Sequence, residues 1–169
     1  SLINASEIIF SGSAPNCTAT ITPKLNQNGV VNLTFRVSDA EPLHHDRTFS
    51  VTVNAVNDAP TISTISPQVI KTDASVVVNY TISDIDSSLN CNSAVTVVSG
   101  NTTVLPQANI VKSGSAPNCS LTITPSLNLA GTSTVSVTIS DGTSSANTSF
   151  NVELINVTSV AVTPASVSL

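Results

Sequence analysis

From Ser75 to Ser83 apolar and polar residues alternate, with Val76, Val78, Tyr80 and Ile82 on one side of an extended backbone and Val77, Asn79, Thr81 and Ser83 on the other. A period of two marks a half-buried strand. The pattern returns at Val95 and Val97, at Leu121 and Ile123, at Val135, Val137 and Ile139, and at Phe150, Val152 and Leu154. Turn formers punctuate these runs at Ser99-Gly100, Pro106 and Asp141-Gly142. The abundance of Ser, Thr, Asn and Val suits strands and turns and does not suit helices. An all-β chain is expected.

One phrase occurs twice. SGSAPNC spans residues 11–17 and again 113–119, an offset of 102 (119 − 17). The match runs without a gap from Ser1 to Asp39, placing Ile21, Pro23, Asn26, Gly29 and Asp39 over Ile123, Pro125, Asn128, Gly131 and Asp141. After one deletion, TFSVTVNAV (48–56) lies over SFNVELINV (149–157). A period of one domain length indicates tandem copies of one folding unit. About seven short strands in a copy of roughly 100 residues describe a Greek-key β-sandwich of immunoglobulin-like architecture. The expected organisation is the C-terminal half of a truncated repeat at 1–57, a complete repeat at 58–156, and the first strand of a following domain at 157–169. Half a sandwich leaves unpaired edges and half a core, so the chain reads as a window on a longer polypeptide.

The same arithmetic handles three cysteines. Cys91 and Cys119 lie in the second copy, whereas the first-copy equivalent of Cys91 falls at 91 − 102, before the numbering begins. A Cys91–Cys119 disulfide is expected, with the partner of Cys17 outside the fragment; two free buried thiols are the alternative. The bridge implies an oxidising, extracytoplasmic compartment. The repeated heptapeptide then serves as the turn that delivers this cysteine to a strand.

Composition narrows the function. Charged residues make up 9% and aromatics 3%, and five Lys and Arg face ten acids. A phosphate-binding footprint is missing, so nucleic acid is not an expected partner. No apolar run approaches the length of a membrane span.

The few carboxylates cluster at Asn57-Asp58-Ala59-Pro60, at Asp84-Ile85-Asp86 and at Asp141-Gly142. Here the chain resembles the cadherin-like tandem repeats of large bacterial surface proteins, whose copies often end in a phrase like VNDAP (56–60) and contain one like VTISDG (137–142). In cadherins the junction binds calcium through a linker, a DxD after the second strand and an Asp before the last. The resemblance implies calcium ligands at Asn57, Asp58, Asp84, Asp86 and Asp141, a hard-oxygen set suited to that ion. The first linker Asp of the cadherin pattern is replaced by Ala55, and the same side chains also shape turns. The C-terminal VTSVAVTPASVSL resembles the first strand of group 2 bacterial immunoglobulin-like domains.

Glu41 to Arg47, with His44, His45 and Asp46, is the densest ionisable stretch, yet its second-copy counterpart has none. It reads as a solvated hairpin tip. No serine sits in a nucleophile-elbow context, so no catalytic residue is assigned. The chain is therefore expected to be a non-catalytic stalk or spacer of a secreted, adhesin-like protein at the bacterial cell surface. Its partners are neighbouring repeats, with a surface ligand or self-assembly beyond them. The alternatives are a filament subunit or binding module for a protein or glycan, and a spacer in an extracellular enzyme.

Overall fold

A computed structural model describes residues 1–41 and 43–156, so the strand expected at 157–169 lies outside the described residues. The chain divides into two compact units, Ser1–Asn57 and a second that begins at Asp58.

The second unit is a complete sandwich. Its strands are β5 (Thr61–Ile62), β6 (Gln68–Lys71), β7 (Val76–Ser83), β8 (Val95–Ser99), β9 (Ile110–Ser115), β10 (Asn118–Ile123), β11 (Gly131–Ser140) and β12 (Ser145–Ile155). They form two four-stranded sheets, ordered β5-β7-β10-β9 and β6-β12-β11-β8. This is the strand order of a constant-type immunoglobulin sandwich, with the chain's first edge split so that β6 crosses to pair in parallel with β12. Eight strands stand where the alternation predicts about seven, because β5 and β6, at two and four residues, are too short to display a repeated alternation.

The alternation of β7 becomes its burial pattern: Val78, Tyr80 and Ile82 are buried, while Val77 is exposed. Leu121 and Ile123 of β10 face Val135, Val137 and Ile139 of β11 and Phe150, Val152 and Leu154 of β12 in one continuous core. Most of these side chains lose essentially all contact with water, each worth about 1.5–3 kcal/mol of hydrophobic free energy.

The first unit contains β1 (Ile8–Ser13), β2 (Asn16–Ile21), β3 (Gly29–Ser38) and β4 (His44–Val53). They form two antiparallel hairpins, β1 with β2 and β3 with β4, each its own two-stranded sheet. These hairpins repeat β9–β10 and β11–β12 in detail. Asn26 and Asn128 adopt the same left-handed backbone, at φ 57° and 58°. Thr22 N–H donates to the Glu7 carbonyl and Thr124 N–H to the Asn109 carbonyl, both at 3.0 Å. What differs is burial, since Ile3 is the one buried apolar side chain among the described residues of this unit.

Candidate functional site

The repeated heptapeptide forms the tight turn between β9 and β10, as it does between β1 and β2. Ser115 pairs with Asn118 across it, Gly114 with Cys119, and the Ala116–Pro117 peptide bond is cis, as is Ala14–Pro15. Gly114 has a φ of +101°, and a Cβ there would stand 2.5 Å from the Asn118 carbonyl oxygen. Glycine is therefore required on both counts. The turn presents Cys119 inward, where it bonds Cys91 in the turn before β8, with an S–S distance of 1.99 Å and a Cα–Cα distance of 5.5 Å. Both cysteines are buried. The bridge ties the connection between β7 and β8 to β10. Cys17, at the same place in the first unit, is free and exposed.

The acidic residues act chiefly as acceptors for loop amides. Asp84 Oδ1 receives the N–H groups of Asp86 at 3.0 Å and Ser87 at 2.9 Å. Asp86 Oδ2 receives the Asp58 N–H at 3.1 Å. Asp141 Oδ1 receives the N–H groups of Thr143 and Ser144, both at 2.6 Å. Burial pushes the Asp84 carboxyl upward and the nearby Asp141 charge adds to this, but the hydrogen bonds from Asp86 and Ser87 outweigh both and leave it below the ordinary carboxylate value.

Calcium asks for six to eight oxygens around one point. Among the described residues, no three His, Cys, Asp or Glu side chains converge closely enough to hold a metal ion. Asp84 Oδ2 is shielded and has no hydrogen-bond partner. Asp58, Asp84, Asp86 and Asp141 share the second unit, and Asn57 is the last residue of the first. Among the described residues these aspartates do not form a cluster of three around one point.

His44, His45 and Asp46 lie within β4, correcting their assignment to a hairpin tip. Asp46 sits across from Arg36 on β3, and the pair is bidentate at 2.8 Å for each contact. The guanidinium hydrogen bond holds Asp46 below the usual carboxylate range and raises Arg36. His45 stands opposite Val37, and both histidines are exposed.

One buried polar group escaped the sequence reading. Ser99 Oγ donates to the Leu105 carbonyl at 2.7 Å and lies 3.0 Å from Ser133 Oγ. Gln107 closes the group by accepting the Ser99 N–H and donating to the Val97 carbonyl. The signal was in the phase, since Ser99 follows Val95 and Val97 on the inward side.

A family profile, the bacterial Ig domain, matches residues 57–153. The chain belongs to the bacterial Ig domain family. No curated protein matches it by sequence. Among solved structures, the titin domains z1z2 in complex with telethonin are similar at 14% identity and a TM-score of 0.50, covering 91% of this chain and 75% of that one. Titin M4 is similar at 10% identity and a TM-score of 0.43, over 60% of this chain and all of its own (100%). An endo-fucoidan hydrolase of glycoside hydrolase family 107 is similar at 15% identity and 0.41, with 94% of this chain covering 24% of the hydrolase. At these identities the likeness concerns the fold alone. Among the described residues of this bacterial Ig domain, no helix is long and apolar enough to cross a membrane.

Proposed function

We propose that this bacterial Ig domain chain is a spacer segment of an extracellular, surface-associated protein, holding other regions at a distance without performing chemistry itself. The observation that carries the reading is the disulfide-bonded sandwich. The second unit has a complete two-layer core holding a buried disulfide, and the sequence of its back half recurs at an offset of 102 (119 − 17). Disulfides persist in oxidising compartments, which supports an extracellular location.

Within this reading the carboxylates serve the loops. Melting curves in millimolar calcium and in chelator are expected to superimpose, and a rise in Tm of several degrees in calcium would give the ion a structural place after all. The spacer reading is tested by intact mass and peptide mapping of the native polypeptide. Many further copies together with a secretion signal and a surface anchor are expected. A native protein confined to these two units would overturn it.

A further inference from the structure

An edge strand presents backbone groups that a second strand can join, and the sandwich of the second unit has such edges at β5 and β9 in one sheet and at β6 and β8 in the other. The strands β5 and β6 are two and four residues long, too short to offer much of a ladder. The strand β9 carries the charge of Lys112 at its third position. β8 has neither protection. Its five residues, Val-Thr-Val-Val-Ser, include no charge, no Pro and no Gly, and Val98 on its outer face is 53% exposed. Uncharged runs of this kind favour strand addition.

The register shows which backbone groups of β8 face its edge. The Ala94 carbonyl accepts the Ser140 N–H, and the Gly100 N–H donates to the Thr134 carbonyl. The even-numbered residues therefore bond to β11, with Thr96 opposite Thr138 and Val98 opposite Ser136. Val95, Val97 and Ser99 turn their N–H and C=O groups the other way, to the edge.

Side chains occupy that edge. Gln107 donates Nε2 to the Val97 carbonyl at 2.8 Å and accepts the Ser99 N–H on Oε1 at 2.9 Å. These are the two bonds that a residue of a parallel neighbouring strand would make with Val97 and Ser99. Lys112 reaches across from the other sheet and donates Nζ to the Val95 carbonyl at 2.6 Å and to the Asn92 carbonyl. Gln107 begins the short 3-10 turn Gln107–Asn109, which leads directly into the β9 strand that bears Lys112.

We infer that Gln107 and Lys112 form a clasp over the edge of β8, and that the clasp keeps a second copy of this chain from adding its own β8 there. Two such strands would meet antiparallel about a two-fold axis, bringing identical uncharged residues together. An incoming strand must break the Gln107 and Lys112 bonds before it can form its own, so it gains less than at a bare edge. The inference does not depend on the spacer reading, because the edge faces a second copy whatever the whole protein does.

The test is the self-association of the full 169-residue chain carrying Gln107→Met and Lys112→Met, which keep the apolar stems and remove the polar ends. In sedimentation velocity over a concentration series, the concentration of half-dimerisation is expected to fall by about tenfold or more relative to the unsubstituted chain, the equivalent of roughly one to two net hydrogen bonds. Adding Val98→Lys places a charge on the outer face of the edge and is expected to return the variant to the behaviour of the unsubstituted chain. A double variant that keeps the Cys91–Cys119 disulfide and a cooperative unfolding transition, yet associates no more than the unsubstituted chain, would overturn the inference. So would association that survives Val98→Lys, since the contact would then lie elsewhere. Each single variant opens part of the edge and is expected to shift in the same direction by less. If the double variant does not fold, the single variants decide, and no shift in either overturns the inference.

Discussion

Equivalent residues of the two units share a sequence and differ in surroundings, which allows the value of burial to be measured inside one chain. Ile139 is sealed between sheets, whereas Val37, its counterpart, faces solvent. Ile139→Ala is expected to cost about 2–5 kcal/mol, through lost transfer energy and the cavity left behind. Val37→Ala is expected to stay within about 0.5 kcal/mol. Urea midpoints for each unit's transition would check the contrast. Asp84 offers a second measurement. Its carboxyl lies below the ordinary value because two loop N–H groups hold the charged form, against burial and the neighbouring Asp141. A lowered folded pKa makes the stabilisation complete above about pH 4 and loses it as pH falls through the folded value. Asp84→Asn is therefore expected to flatten the acid limb of a plot of Tm against pH, while the neutral limb keeps its slope.

At the scale of strands and turns, legibility tracked length and phase. The strands β7, β11 and β12 were visible because eight, ten and eleven residues hold several full periods. The two residues of β5 and four of β6 hold too few. The pairing of Cys91 with Cys119 was accessible through the repeat, since the offset assigns both to one copy. The Ser99, Ser133 and Gln107 group stayed hidden because inward serines in a Ser-rich strand look like noise in the pattern; only their partners reveal them. The acidic residues were misleading for a related reason. The resemblance grouped Asp84, Asp86 and Asp141 as ion ligands, whereas in the fold Asp84 Oδ1, Asp86 Oδ2 and Asp141 Oδ1 accept backbone N–H groups. The heptapeptide turn supplies the test at this level. In Gly114→Ala the new methyl meets the Asn118 carbonyl in a backbone region that side chains avoid, with an expected cost of about 1–3 kcal/mol. Chemical denaturation, together with amide exchange across β9 and β10, would read it.

For the whole molecule, the two units are expected to respond differently to reductant. Cys91 and Cys119 are 28 residues apart. Closing a loop of that size restricts the unfolded chain by about 3–4 kcal/mol in the chain-entropy account. Reduction is expected to lower the unfolding free energy of the second unit by that amount, read as a lower denaturation midpoint, and to leave the first unchanged, because its cysteine is already free.

The parallel pairing of β6 with β12 has a consequence for a tether under load. Four residue pairs join these strands, from Val152 with Gln68 to Ile155 with Lys71. If the unit is pulled at its two ends, the start of β6 and the end of β12 are drawn in opposite directions along a common axis. The hydrogen bonds between them are then sheared together and are not unzipped one at a time, so rupture requires the simultaneous failure of the set. Once the sandwich opens, the disulfide withholds the 28-residue stretch it encloses, roughly 90–100 Å of contour at full extension. Each such unit yields abruptly and then lengthens by less than its sequence would allow.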